Sequence, residues 1–127
     1  MTRAKAFLLT YLAMWLVPIP VLGLFAVLGW IQMPDAGDPL SFYLSVSVIK
    51  AGFAFGFVGL FPRTGSWRDY AITWWVMFVA LELGQVVSQT NPLSFAVAGI
   101  LSEAGYFPLA ALLVSRAIGV GRSADDV

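Results

Sequence analysis

The sequence predicts one all-α domain over 1–127, an integral membrane four-helix bundle with N- and C-termini cytoplasmic. Three observations predict it. The chain is 60% hydrophobic and 11% charged, with a mean hydropathy of +0.86; soluble domains carry about 25% charged residues. Four apolar stretches, about 7–31, 40–61, 70–90 and 93–115, each come near the ~20 residues that cross ~30 Å of hydrocarbon. The Lys and Arg residues flanking those stretches all fall on one side of a four-span arrangement.

The first stretch begins after Arg3 and Lys5 and superficially resembles a signal peptide. It runs from Phe7 to Ile31, beyond the roughly 7–15-residue apolar region of such peptides, and no small-residue cleavage pattern follows it. It reads as a retained first span. Pro18 and Pro20 interrupt it, each removing an i to i−4 hydrogen bond. Asp38-Pro39 opens the second stretch and Asn91-Pro92 the fourth, each pairing a capping side chain with a proline suited to the first helical position. Ser66 to Asp69 has the spacing of a capping box at the start of the third. The Thr90-Asn91-Pro92 turn is so short that the third and fourth spans must be antiparallel neighbours. Pro108 interrupts the fourth and frees the carbonyl of Ala104.

Orientation follows from charge. Arg3, Lys5, Arg63, Arg68, Arg116 and Arg122 share one side, and only Asp35 and Asp38 occupy the other. The positive-inside rule then puts both termini in the cytoplasm, and a bacterial cytoplasmic (inner) membrane is the expected location. Tyr11, Trp67, Trp74 and Trp75 on the inner side and Trp30 and Tyr43 on the outer side suit interfacial anchoring. The polar tail from Gly119 to Val127 reads as a solvated terminus.

Three ionisable residues lie within the apolar stretches: Lys50, Glu82 and Glu103. Each costs about 2.5–3.5 kcal/mol at the centre of a membrane helix when unpaired. Lys50 is 11 residues from Phe61, Glu82 is 12 from Tyr70 and Glu103 is 12 from Ser115. At ~1.5 Å per residue all three lie roughly 16–18 Å from the inner ends of their spans, at one midplane level. Glu82, Gln85 and Gln89, with Ser88 alongside, make one polar face on the third span; Tyr43, Ser47 and Lys50 make a matching stripe on the second. Together they predict a polar path leading outward. Phe57, Phe61, Phe78 and Trp75 close the inner half.

Packing surfaces are also legible. Gly52, Gly56 and Gly59 carry the small-residue pattern that lets helix backbones approach, on a face about 200° from Lys50. Two opposed faces imply either a central position for the second span or a second protein chain against it. Ala96, Gly99, Glu103 and Ala110 set the fourth-span carboxylate on a small-residue face.

Composition excludes several chemistries. With no Cys and no His, the chain has no disulfide, no Cys/His zinc site, no His-ligated haem and no Ser-His or Cys-His pair. Zero net charge argues against nucleic acid. No metal, cofactor or catalytic residue is expected, and the expected partners are the lipid bilayer and other transmembrane helices. Two functions fit. The first is a non-catalytic subunit or assembly factor of a larger membrane complex or homo-oligomer, in which Lys50 bridges one or both glutamates and fixes helix register. The second is a small proton- or cation-coupled transporter or channel, since two carboxylates against one lysine leave room for an exchangeable proton or cation.

Overall fold

The computed structural model describes residues 2–31, 39–62 and 65–119, and among these the protein is all-α. The helices are α1 (Thr2–Leu16), α2 (Pro18–Val27), α3 (Pro39–Gly59), α4 (Trp67–Val87) and α5 (Leu93–Ile118). Asp35, Asp38, Arg63 and Arg122 lie outside the described residues, as does the tail beyond Gly119.

Three stretches among the described residues are long and apolar enough to cross a membrane: Thr2–Val27, Trp67–Val87 and Leu93–Ile118. Helix α3 has 21 residues, and its described apolar part is Tyr43–Gly59. The first expected span is two helices broken at Val17, with Pro18 at the start of α2. Pro18 and Pro20 cannot donate to the carbonyls four residues back, and the ladder fails there for that reason. Pro108, a single interruption, stays inside α5.

Helix ends follow local chemistry. Ser66 caps α4, its Oγ accepting from the Arg68 amide at 3.1 Å. At the end of α2, Gly29 adopts φ +70°, and the Gly29 and Trp30 amides donate to Ala26 and Phe25, the pattern of a Schellman motif. The α4–α5 connection closes the same way without a glycine: Gln89 sits at φ 60° while the Gln89 and Thr90 amides donate to Val86 and Gln85. Asn91 does not cap α5 as expected. Pro92 holds the cap position without a side-chain bond, and the Asn91 Nδ2 donates instead to Gln85 Oε1 at 3.4 Å.

The central helix is α5, which packs against α1, α2 and α4. Ala96, Ala98, Ala110 and Ala111 are fully buried, because small side chains allow close helix approach where lipid supplies no hydrophobic drive. Helix α3 packs chiefly on α1. Of the two readings of the opposed faces of the second span, a central position does not hold within this chain: a Cβ added at Gly52, Gly56 or Gly59 would meet nothing within 4 Å, so the glycine face is open here.

One aromatic cluster ties the helices together. Fully buried Phe57 stacks on Phe107 at 5.8 Å and meets Tyr70 at 4.9 Å and Trp74 at 5.4 Å. Phe78 meets Phe107 at 5.0 Å. Trp74, expected as an interfacial anchor, belongs to this cluster; Trp75 donates its indole N–H to the Ile100 carbonyl of α5 at 3.1 Å. The Tyr70 hydroxyl donates to the Phe57 carbonyl at 2.6 Å, satisfying an acceptor in the last turn of α3, where helical donors run out.

Two stability outcomes follow, both readable by thermal unfolding in detergent. Tyr70→Phe orphans the Phe57 carbonyl and should cost about 1 kcal/mol. Gln89→Gly should stabilise by about 1 kcal/mol, because it removes the left-handed backbone penalty of a side-chain-bearing residue. An unchanged or lowered midpoint for Gln89→Gly would contradict the strain assigned to that turn.

Candidate functional site

The site begins with a backbone consequence. Pro18 has no N–H, so the carbonyl of Met14, four residues earlier, loses its helical donor. The Lys50 ammonium of α3 donates to that Met14 carbonyl and lies 4.6 Å from the ring centroid of Trp15. Hydrogen bond and cation–π contact together satisfy a charge within an apolar segment. Among the described residues, no ion pair joins Lys50 to Glu82 or Glu103. The bridge expected by the register-fixing reading is therefore absent, because the proline break offers Lys50 a different acceptor.

The carboxylates are placed by α4 and α5. The Glu82 side chain lies on the backbone of α5 at Gly99, where an added Cβ would sit 2.7 Å from Glu82 Oε1. Glu103 follows Gly99 by four residues on the same helix face, about one turn further along, and the two carboxyl groups are close enough to interact electrostatically. Glu103 is only 4% exposed. Glu82 Oε2 and Glu103 Oε2 are both buried with no hydrogen-bond partner. Buried polar atoms are almost always satisfied, so two adjacent orphans in one site call for an explanation.

Both carboxylates and Lys50 line one cavity of about 340 Å³. Its remaining walls are Pro18 and Leu22 of α2, Asn91 from the turn, and Phe95, Gly99, Ser102 and Tyr106 of α5. The Ser102 Oγ donates to the Ala98 carbonyl at 2.8 Å, which leaves its lone pairs toward other donors. No group of three or more His, Cys, Asp or Glu residues capable of holding a metal occurs among the described residues.

The walls of this cavity do not include Tyr43, Ser47, Gln85, Ser88 or Gln89. Tyr43 is 57% exposed on α3. The Gln85 carbonyl accepts from the Thr90 Oγ1 at 3.1 Å and the Ser88 Oγ at 3.2 Å, so this polar group builds the end of α4. Polar residues in the last turn serve the helix's own orphan carbonyls before they can line anything else. Sequence reasoning passed over Phe95, Ser102 and Tyr106, although the signal was present: with Gly99 and Glu103 they recur at three- and four-residue spacing on one face of α5. Trp15 and the Met14 carbonyl carried no such signal.

Comparison with protein-family models, curated proteins and solved structures finds no match.

The tie between Pro18 and Lys50 is testable by a double-mutant cycle on unfolding in detergent. Pro18→Ala restores a helical donor to Met14, so Lys50→Met should then cost about 1 kcal/mol less than it does beside proline. Additive effects would show that the Met14 carbonyl is not what holds Lys50.

Proposed function

We propose that the protein is a small proton- or cation-coupled transporter of the bacterial cytoplasmic membrane, its helical segments forming a four-span bundle with both termini cytoplasmic. The observation that carries this reading is the pair of buried, unpartnered oxygens, Glu82 Oε2 and Glu103 Oε2, on a cavity whose single lysine is engaged elsewhere. In hydrocarbon two neighbouring carboxylates do not both stay ionised without a compensating cation. Lys50, held on Met14 at the same cavity, balances at most one carboxylate, and the remaining compensation is left to an exchangeable proton or a bound cation. Exchange of one for the other is the elementary step of coupled transport, and the six-to-zero split of flanking Lys and Arg supports the orientation.

A second reading, a non-catalytic subunit or assembly factor, is favoured by one observation. The glycine face of α3 is open, and α3 carries exposed Leu44, Val48 and Phe55 besides. A partner helix laid there would thicken the weakly held edge of the molecule.

Flux through liposomes separates the two. Purified protein should dissipate an imposed proton or cation gradient, and Glu82→Gln or Glu103→Gln should slow that flux by about tenfold or more. Wild-type liposomes indistinguishable from empty ones, together with stoichiometric recovery of another membrane chain on mild extraction, would favour the subunit reading instead.

A further inference from the structure

We infer that the Glu82–Glu103 cavity binds a small protonated amine with an apolar body, one molecule per site, rather than an inorganic cation. The inference rests on the reading of these two glutamates as an exchange site and specifies what that site takes.

Four features of the cavity lead there. Charge comes first: two carboxylates against Lys50 leave a surplus of one negative charge, so one monovalent cation balances the site, whereas a divalent ion would leave net positive charge in an apolar wall. Size is second. The cavity measures about 340 Å³, while one water occupies about 30 Å³ and an apolar cavity of about 150 Å³ already accommodates benzene. A bare alkali ion would leave most of this volume empty.

The third feature is the donor set. Hard metal ions take about six or more oxygens in a closed shell, and the described residues offer no cluster of three acidic side chains. What the site does offer is two acceptor oxygens with nothing donated to them. An alkylammonium brings three N–H donors, enough for Glu82 Oε2, Glu103 Oε2 and one more acceptor. A quaternary ammonium brings none, so it would neutralise the charge and still leave both oxygens orphaned.

The fourth feature is the wall. Leu22, Pro18, Phe95 and Tyr106 surround the carboxylates, the usual composition of an organic-ligand pocket, apolar with a few convergent polar groups. The protein already holds one primary ammonium by hydrogen bonding and an aromatic face: Lys50, on the wall of this cavity, donates to the Met14 carbonyl and lies over the Trp15 ring.

The test is isothermal titration of the purified full-length protein in detergent with benzylammonium chloride, against benzyl alcohol, benzyltrimethylammonium and sodium chloride. Benzylammonium should saturate one site per chain and bind about tenfold or more tightly than either benzyl compound, the margin that charge-assisted hydrogen bonds confer. Glu103→Gln should abolish the margin, and Phe95→Leu, which leaves both carboxylates in place, should weaken binding by several-fold while keeping it. Equal binding of benzyl alcohol, equal binding of benzyltrimethylammonium, or competition by sodium at comparable concentration would each overturn the inference. The readout is independent of flux. Benzylammonium binding without transport would sink the transporter reading alone, and proton flux with no benzylammonium binding would sink this inference alone.

Discussion

Inside hydrocarbon, a backbone carbonyl that loses its helical donor has no water to turn to and must find a donor within the protein. Pro18 creates that situation for Met14, and the Lys50 ammonium resolves it. Much of the molecule depends on this contact. It ties α3 to the break between α1 and α2, it brings a lysine to the wall of the cavity, and it commits that lysine to a carbonyl. The two carboxylates on the cavity are thereby left without an ion pair to that lysine. A structural need of the backbone in one helix thus sets the electrostatics of a site formed by two others.

The carboxyl groups of Glu82 and Glu103 lie within hydrogen-bonding reach of each other, and Asn91 reaches Glu82, while one oxygen of each carboxyl stays buried without a partner. Gly99 lets the Glu82 side chain settle on the α5 backbone, and the tight Gln85–Asn91 turn fixes how α4 lies along α5. Small residues make that approach possible, as expected where van der Waals packing between helices must substitute for hydrophobic drive. The aromatic cluster around Phe57 and Phe107 packs the other part of the molecule. A rigid aromatic core beside a loosely satisfied polar cavity is the arrangement a site needs if its occupant is to exchange while the surrounding helices stay in place.

The three charges were legible in the sequence because hydrocarbon tolerates so few that each one stands out against an apolar run. Antiparallel α4 and α5 were legible because three turn residues permit nothing else. For the Gln85, Ser88 and Gln89 stripe, helical periodicity describes a face, but at a helix end such residues also answer to the orphan carbonyls of the last turn. The α3 glycines left two readings open, a central helix or a second protein chain. A small-residue pattern records that a backbone can be approached, and only packing tells whether a helix of the same chain does so.

Sequence alone determined the class of the protein, the number and rough bounds of its apolar segments, the exclusion of Cys- and His-based chemistry, and the identity of Lys50, Glu82 and Glu103. All of these follow from composition and from local backbone rules that hold wherever a segment sits. Tertiary structure decided the rest: α5 as the central helix, α3 at the edge, Met14 rather than a glutamate as the acceptor for Lys50, and Phe95, Ser102 and Tyr106 as walls of the cavity. Each of these depends on distances between helices, and such distances come from how side chains of different segments pack, which no single segment specifies.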